Sequence, residues 1–178
     1  MSKFKISFFV FLFIGINSMA QNKYLDVIKL QANLFAEAII KNDFKKIVKF
    51  TYPELVKIIN KDTLLNKLSN DMVSMKEEGL RYKKITFGTP QKVTYLAKNY
   101  YVIPQKIVKY NSSGEFHIKT YLFVVSNNKG KNWCFLTSKQ FIKYQKQLLP
   151  GLEQKYKFPT ETSIFILNKK FSSFDKPN

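Results

Sequence analysis

Residues 75–90 read MKEEGLRYKKITFGTP, from Met75 to Pro90. Before Gly79, apolar residues recur every three or four positions; after it they alternate. The first period belongs to a helix and the second to a strand. Gly79 marks the switch, because glycine enters the left-handed conformation that ends a helix without a Cβ penalty. Gly88-Thr89-Pro90 then closes the first strand, since proline gives no donor to a sheet ladder.

Extending the helical period upstream predicts a run of helices. Leu25, Ile28, Leu34, Phe35, Ala38 and Ile39 form one apolar stripe. Asn42-Asp43 caps a second short helix carrying Phe44, Ile47 and Val48. Thr51-Tyr52-Pro53 stops it and Pro53 opens a third, with Leu55, Ile58 and Ile59. Asp62 is the expected cap of a fourth, whose buried face is Leu64, Leu65, Leu68, Met72 and Met75.

Downstream, the alternation predicts strands at Tyr82–Phe87, Lys92–Ala97, Tyr100–Tyr110, Phe116–Ser126 and Trp133–Thr137. Pro104 suggests that the third is an edge strand or is bulged. Asn111-Ser112-Ser113-Gly114 reads as a hairpin loop, and its glycosylation pattern as coincidence. Phe141–Leu149 reads as a closing helix, Ile164–Leu167 as a small strand and Phe171–Asn178 as a tail. Short turns between consecutive strands favour antiparallel pairing. The expected class is α+β: N-terminal helices segregated onto one face of a curved antiparallel sheet of about five strands.

The first twenty residues stand apart. Lys3 and Lys5 precede an apolar run from Ile6 to Ile16, and Ser18-Met19-Ala20 ends in small residues. This is the pattern of a secretory signal cut between Ala20 and Gln21. The apolar run is shorter than the about 20 residues that a membrane-spanning helix needs, and no later stretch reaches that length. The expected organisation is a signal peptide over 1–20, one α+β domain over 21–157, and a partly disordered C-terminal extension over 158–178. The expected location is the periplasm or the medium.

The formal charge of the whole chain is +18. Without Lys3 and Lys5 it is +16, since residues 1–20 contain no acid. Such an excess attracts anionic surfaces. Yet Arg81 is the single arginine among 30 basic residues, and arginine is the side chain that forks onto phosphate and guanine. The lysines are also spread along the chain, so specific nucleic-acid readout is not expected. Cys134 is the one cysteine, which precludes an internal disulfide. It lies in an apolar run and is expected to be a buried, inert thiol.

Catalytic patterns are sparse. One histidine, His117, and one cysteine cannot supply a structural zinc site. There is no Gly-rich phosphate loop and no nucleophile elbow. Between Arg81 and Thr137 the one acid is Glu115, beside a hairpin turn. Glu77 and Glu78 are neighbours on a helix and face different ways. No metal and no cofactor is expected.

The stretch Ser126-Asn127-Asn128-Lys129-Gly130-Lys131-Asn132-Trp133 matches, in spacing, the Asp-box hairpin of sialidase-type propellers. A propeller repeats its motif; this chain has it once. Asn128, Gly130 and Trp133 are therefore expected to make a structural turn: asparagine bonds nearby backbone, glycine supplies positive φ, and Trp133 packs inward. Losing Gly130 should cost folding rather than activity.

The Tyr52-Pro53 step, the helix ending at Glu77-Glu78-Gly79-Leu80, the stretch Ile85-Thr86-Phe87-Gly88-Thr89-Pro90, and the strand Tyr121–Ser126 leading to Gly130-Lys131-Asn132-Trp133 together resemble the NTF2-like (cystatin-like, SnoaL-like) superfamily. The likeness covers roughly residues 24–150. More narrowly, the chain is similar to small exported bacterial proteins of that fold with no assigned activity. The resemblance implies a cone: a sheet curved around a helix, with an apolar pocket at its open end. Tyr52, Tyr82, Tyr101, His117 and Tyr121 are the candidate pocket residues. The leading expectation is a non-catalytic domain that binds a small apolar ligand or a protein partner, with homodimerisation through the sheet as a further option. Two alternatives stand beside it. One is an isomerase- or hydrolase-type enzyme, since the superfamily includes ketosteroid isomerase and limonene epoxide hydrolase, which use Tyr or Asp inside the cone; here Tyr52, Tyr101 or His117 would serve. The other is a basic protein held on anionic envelope polymers.

Overall fold

The computed structural model describes residues 24–96, 98–126, 128, 130–152 and 156–168. The expected signal segment with its Ala20/Gln21 cut, Ala97 at the end of the second expected strand, Asn127 and Lys129 of the turn, and the tail from 171 all lie outside the described residues.

The chain is helical from residue 24 to residue 40 (α1). Three helices follow: α2 (Phe44–Phe50), α3 (Pro53–Ile59) and α4 (Lys61–Glu77). Asn42, at φ 58°, turns the chain out of α1, and the carboxylate of Asp43 accepts the Lys46 N–H at 3.0 Å to open α2. Pro53 holds the first position of α3, where its missing N–H costs nothing. The expected cap at Asp62 is corrected by the structure. Asn60, at φ 72°, is the cap, and its Oδ1 accepts the Asp62 N–H at 2.8 Å. Asp62 sits instead in the first turn, where its charge favours the helix dipole. Gly79, at φ 68°, ends α4, with the Leu80 N–H donated to the Met75 carbonyl at 2.8 Å. That six-to-one bond is the Schellman closure glycine permits.

Six strands then form one curled antiparallel sheet: β1 (Arg81–Phe87), β2 (Gln91–Tyr95), β3 (Lys98–Tyr110), β4 (Gly114–Val125), β5 (Cys134–Thr137) and β6 (Thr162–Leu167). Helix α5 (Ser138–Leu148) lies between β5 and β6, opened by a capping box of Thr137 and Gln140. Two long strands, β3 and β4, make the centre, and each outer edge is shared by two short ones. β1 pairs with Gln105–Tyr110 of β3, and β2 with Lys98–Val102. β6 pairs with Gly114–Lys119 of β4, and β5 with Leu122–Val125.

This split places Pro104 where the sequence did not. β3 is a central strand, not an edge. Pro104 pairs with Tyr121 of β4, and its carbonyl accepts the Gly88 N–H at 2.9 Å. Its backbone therefore faces the break between β1 and β2, the point at which a missing donor breaks no ladder bond.

The sheet is also covered on both faces, which corrects the expectation of helices on one face. On one side, Ile28, Ala32, Phe35 and Ala38 of α1 and Ile47 of α2 pack on Tyr101, Ile103, Leu122, Val124 and Phe135. The Phe35 and Phe135 rings stack at 5.2 Å. On the other side, Leu55 of α3, Phe141 of α5, and Leu149 and Leu152 beyond it pack on Tyr100, Val102, Phe123, Val125 and Leu136. Phe158 reaches the same core. The continuous apolar run Tyr121–Val125 has this cause: alternate residues enter different cores, so no position is left for a polar side chain.

Past Phe158, Glu161 accepts hydrogen bonds from Thr120 and Ser138. This leads the chain onto β4 as β6. All six residues of β6 are exposed.

Candidate functional site

A cavity of about 560 Å³ lies between α4 and the sheet. Strand parity builds its floor. Gln105, Ile107 and Lys109 are alternate residues of β3 and so point to one face, the face that carries Tyr101 and Ile103 in the α1 core. Tyr82 and Ile85 of β1 and Leu122 of β4 extend the floor, and Phe35 and Ile39 of α1 close the inner wall.

The roof is α4. Its ends are anchored by buried Leu64 and Met75, and it packs on α2 and α3. Between those anchors, Leu68 and Met72 are only partly buried and line the cavity. An apolar helix face with nothing packed under its middle turns leaves a void. Methionine suits such a wall, because its thioether side chain adapts to what fills it. The volume falls in the range of ligand pockets, about 300–1,000 Å³.

The polar groups gather on the β3 floor and at the rim. Gln105 is 5 % exposed, and its side-chain amide, in the cavity lining, has no hydrogen-bond partner among the described residues. The Thr51 hydroxyl is already committed to the Ile47 carbonyl at 3.0 Å. Lys109 is partly buried, with its nitrogen 5.1 Å above the Tyr82 ring. Burial pushes its pKa down, and the nearby Lys139 ammonium pushes the same way; Glu78 and Asp71 pull it back up. Burial, and then the Asp71 charge, raise the Tyr82 phenol. Lys67 and Asp71 make an exposed ion pair at 3.7 Å across the rim.

Of the five residues expected around the pocket, Tyr82 lines this cavity. Tyr101 lies on the same face but is 2 % exposed in the α1 core, its ring edge-on to Trp133 at 5.3 Å. Tyr52 and Tyr121 belong to the core on the opposite face. Burial raises the phenol of Tyr52 first, with Glu54 adding to it. Burial also raises Tyr101, with Tyr24 next. His117 pairs with Val108 on that opposite face, and its Nε2 lies 2.9 Å from Glu115. Glu115 is bonded in turn by Lys83 at 2.5 Å, and these hydrogen bonds hold its carboxyl below the usual range. The sheet thus separates His117 from the cavity.

Among the groups that line the cavity without having been marked by the sequence are Gln105, Lys109, Asp71, Lys67 and Lys139. The signal for the first two is the inward series Tyr101, Ile103, Gln105, Ile107, Lys109. An amide and an ammonium there interrupt an otherwise apolar face.

The Asn128 turn is built of its own side chains. Ser126 Oγ accepts the Gly130 N–H at 2.8 Å, and Asn128 Oδ1 accepts the Asn132 N–H at 2.7 Å. Gly130 has φ 86°. The backbone N–H of Trp133 is donated to Gln31 Oε1 of α1 at 2.7 Å, and the 4 % exposed indole sits between Tyr24 and Tyr101. Cys134 is half-buried, and burial raises its thiol.

Among the described residues, no three His, Cys, Asp or Glu side chains come together as a metal site, and no helix is long and apolar enough to cross a membrane. No family model matches the chain, and no curated protein or solved structure is significantly similar to it.

Proposed function

We propose that this chain is an exported, NTF2-like domain that takes a small, largely apolar ligand in the cavity beneath α4. The order of helices followed by a curled sheet, with a pocket between them, supports the NTF2-like likeness. The observation that carries the binding reading is Gln105: an amide in the cavity lining with no hydrogen-bond partner among the described residues. An amide that opens onto the cavity offers both a donor and an acceptor to a ligand oxygen or N–H. The apolar walls supply affinity and the amide supplies orientation. Export is tested by the mass of the mature protein, which should begin at Gln21.

The binding test uses N-phenyl-1-naphthylamine, a neutral dye that brightens in apolar sites. It should bind the wild-type protein at about one equivalent. A folded Leu68→Trp variant, whose indole fills the space under α4, should not bind it. Equal dye binding by both proteins would sink the reading. An isomerase- or hydrolase-type activity draws less support, because His117 lies across the sheet and the rim acid Asp71 is exposed and paired with Lys67.

A second reading concerns the outer edge of β6. Ile164, Phe165, Ile166 and Leu167 are 42–69 % exposed, on a strand with no charged residue. Natural edge strands are usually blunted by charge or proline. The occupant that fits is a second copy, paired β6 to β6 about a two-fold axis. Two strongly basic chains then meet along a segment with no ammonium to bury, whereas an acidic partner would seek the lysines. Light scattering should show a wild-type dimer and an Ile166→Lys monomer; a monomeric wild type, or a dimer that tolerates Ile166→Lys, would remove this reading.

A further inference from the structure

The cavity carries one feature that a purely apolar ligand does not explain. Lys109 projects from the cavity floor, is partly buried, and has no carboxylate within 4 Å among the described residues. A second ammonium, Lys139, lines the same cavity, and so does Lys67. Asp71 is the carboxylate in the lining, and Lys67 already pairs with it. With Glu78, whose charge also reaches Lys109, counted beside Asp71, the three ammonium groups Lys67, Lys109 and Lys139 still exceed the nearby acids by one.

Bringing an unpaired ammonium out of water is costly, and placing a second beside it adds repulsion. The face of Tyr82 offsets part of this through its ring quadrupole. A bound anion between the two nitrogens offsets far more, because the attraction acts where water is partly excluded. The geometry sets the rest of the ligand. Lys109, Ile107 and Gln105 are successive inward residues of β3, so the floor runs roughly 13 Å from the cationic end to the amide, at about 3.4 Å per residue. The wall over that path is Leu68, Met72 and Met75. Lysines bind anions as point charges and lack the fork of arginine, which suits a compact monoanionic head.

We propose that the ligand is an apolar carboxylate, its headgroup held by the ammonium groups of Lys109 and Lys139 and its hydrocarbon lying over Ile107 towards Gln105. This rests on the cavity reading above and names the chemical class that the site selects.

The experiment is displacement of N-phenyl-1-naphthylamine by decanoate and by 1-decanol, near neutral pH and low ionic strength. Decanoate should displace the dye at concentrations roughly ten- to hundred-fold lower than decanol, the worth of a charge-assisted hydrogen bond. In Lys109→Gln that preference of acid over alcohol, read as a ratio within the variant itself, should fall to near unity. Lys139→Gln, on the exposed rim, should lose part of it. A dye that does not bind the wild type overturns the cavity reading itself. A dye that binds, displaced equally by acid and alcohol, leaves the cavity reading standing and overturns the carboxylate proposal. A preference for the acid that survives Lys109→Gln and Lys139→Gln overturns the assignment of the headgroup site.

Discussion

Gly130 offers the sharpest test of the turn before β5. Its φ is 86°, and a Cβ built there runs into the ring of Tyr24. Replacing Gly130 with Ala therefore has two costs. Placing a Cβ in the left-handed region costs about 1–2 kcal/mol. The Tyr24 ring must also swing aside, losing its edge-on contact with Trp133, seen at 6.1 Å and 73°; such aromatic pairs are worth about 0.5–1.5 kcal/mol. The expected loss is about 2–3 kcal/mol, or a fall in Tm of roughly 5–10 °C for a chain of this size. The two parts separate in a double-mutant cycle. With Tyr24→Ser as background, Gly130→Ala should cost only the backbone part, so the pair should couple by about 1 kcal/mol. Urea unfolding followed by fluorescence reads this directly, because Trp133 is the one tryptophan and is the ring in question. A loss below about 0.5 kcal/mol would refute the positive-φ reading. Equal losses with and without Tyr24 would refute the steric part.

Three further outcomes are expected. Phe123→Ala, at a fully buried ring 4.5 Å from Phe141 and 5.4 Å from Tyr100, should cost about 3–5 kcal/mol in urea unfolding; a loss under about 1 kcal/mol would contradict the second core. Decanoate affinity should hold across neutral pH and fall as pH rises through the Lys109 pKa, which burial and Lys139 hold below 10.5. Decanol affinity should not change over that window, and the Tyr82 phenol, raised by burial and then by Asp71, repels decanoate further once it loses its proton. The sign for stability is opposite. The penalty of burying charged Lys109 is present below its folded pKa and is relieved as pH rises from there towards 10.5, so a Lys109→Met variant should gain stability at neutral pH and lose that advantage in alkali. Cys134, with its thiol raised by burial, should react with iodoacetamide far more slowly in the native protein than in urea; equal rates would show an open thiol.

The helix-to-strand switch was legible because each signal had a local cause. Gly79 needs only its own φ, Pro53 only its first-turn place, and Asp43 only the Lys46 N–H. The Asn60 cap was missed in favour of Asp62 because both residues suit a helix start, and only the positive φ of Asn60 decides between them. Pro104 was misplaced for a different reason. Its meaning depends on β1 and β2 sharing one edge of β3, which is a long-range fact. The second helical layer was written in the run Tyr121–Val125, since a sheet with one wet face alternates and this segment does not. The candidate pocket was harder to read. Tyrosine marks the rim of any aromatic core, so a set chosen by residue type fell into two cores and one cavity. Parity along β3 would have separated them: 101, 103, 105, 107 and 109 share a face, and the two polar members of that series line the cavity.

That parity also shows why the cavity falls at one end of the sheet. Around Val102 and Phe123 both faces are packed, by α1 on one side and by α5 with Leu149 and Leu152 on the other. Towards the Asn111–Gly114 hairpin the cover thins. One face looks into the space under α4, and the other holds His117, Glu115 and Lys83 at the surface. The edge there is β6, exposed along its whole length. A sheet closed on both faces at one end can leave the other end under-packed without losing the fold, because the cost of the void is set against a core that does not depend on it. Substitutions that fill the cavity, such as Leu68→Trp, should leave the unfolding free energy nearly unchanged or raise it, while an equal added volume at Phe123 should lower it by about 1–3 kcal/mol. If filling the cavity unfolded the chain, α4 would be packed on the sheet after all, and there would be no room beneath it for a ligand.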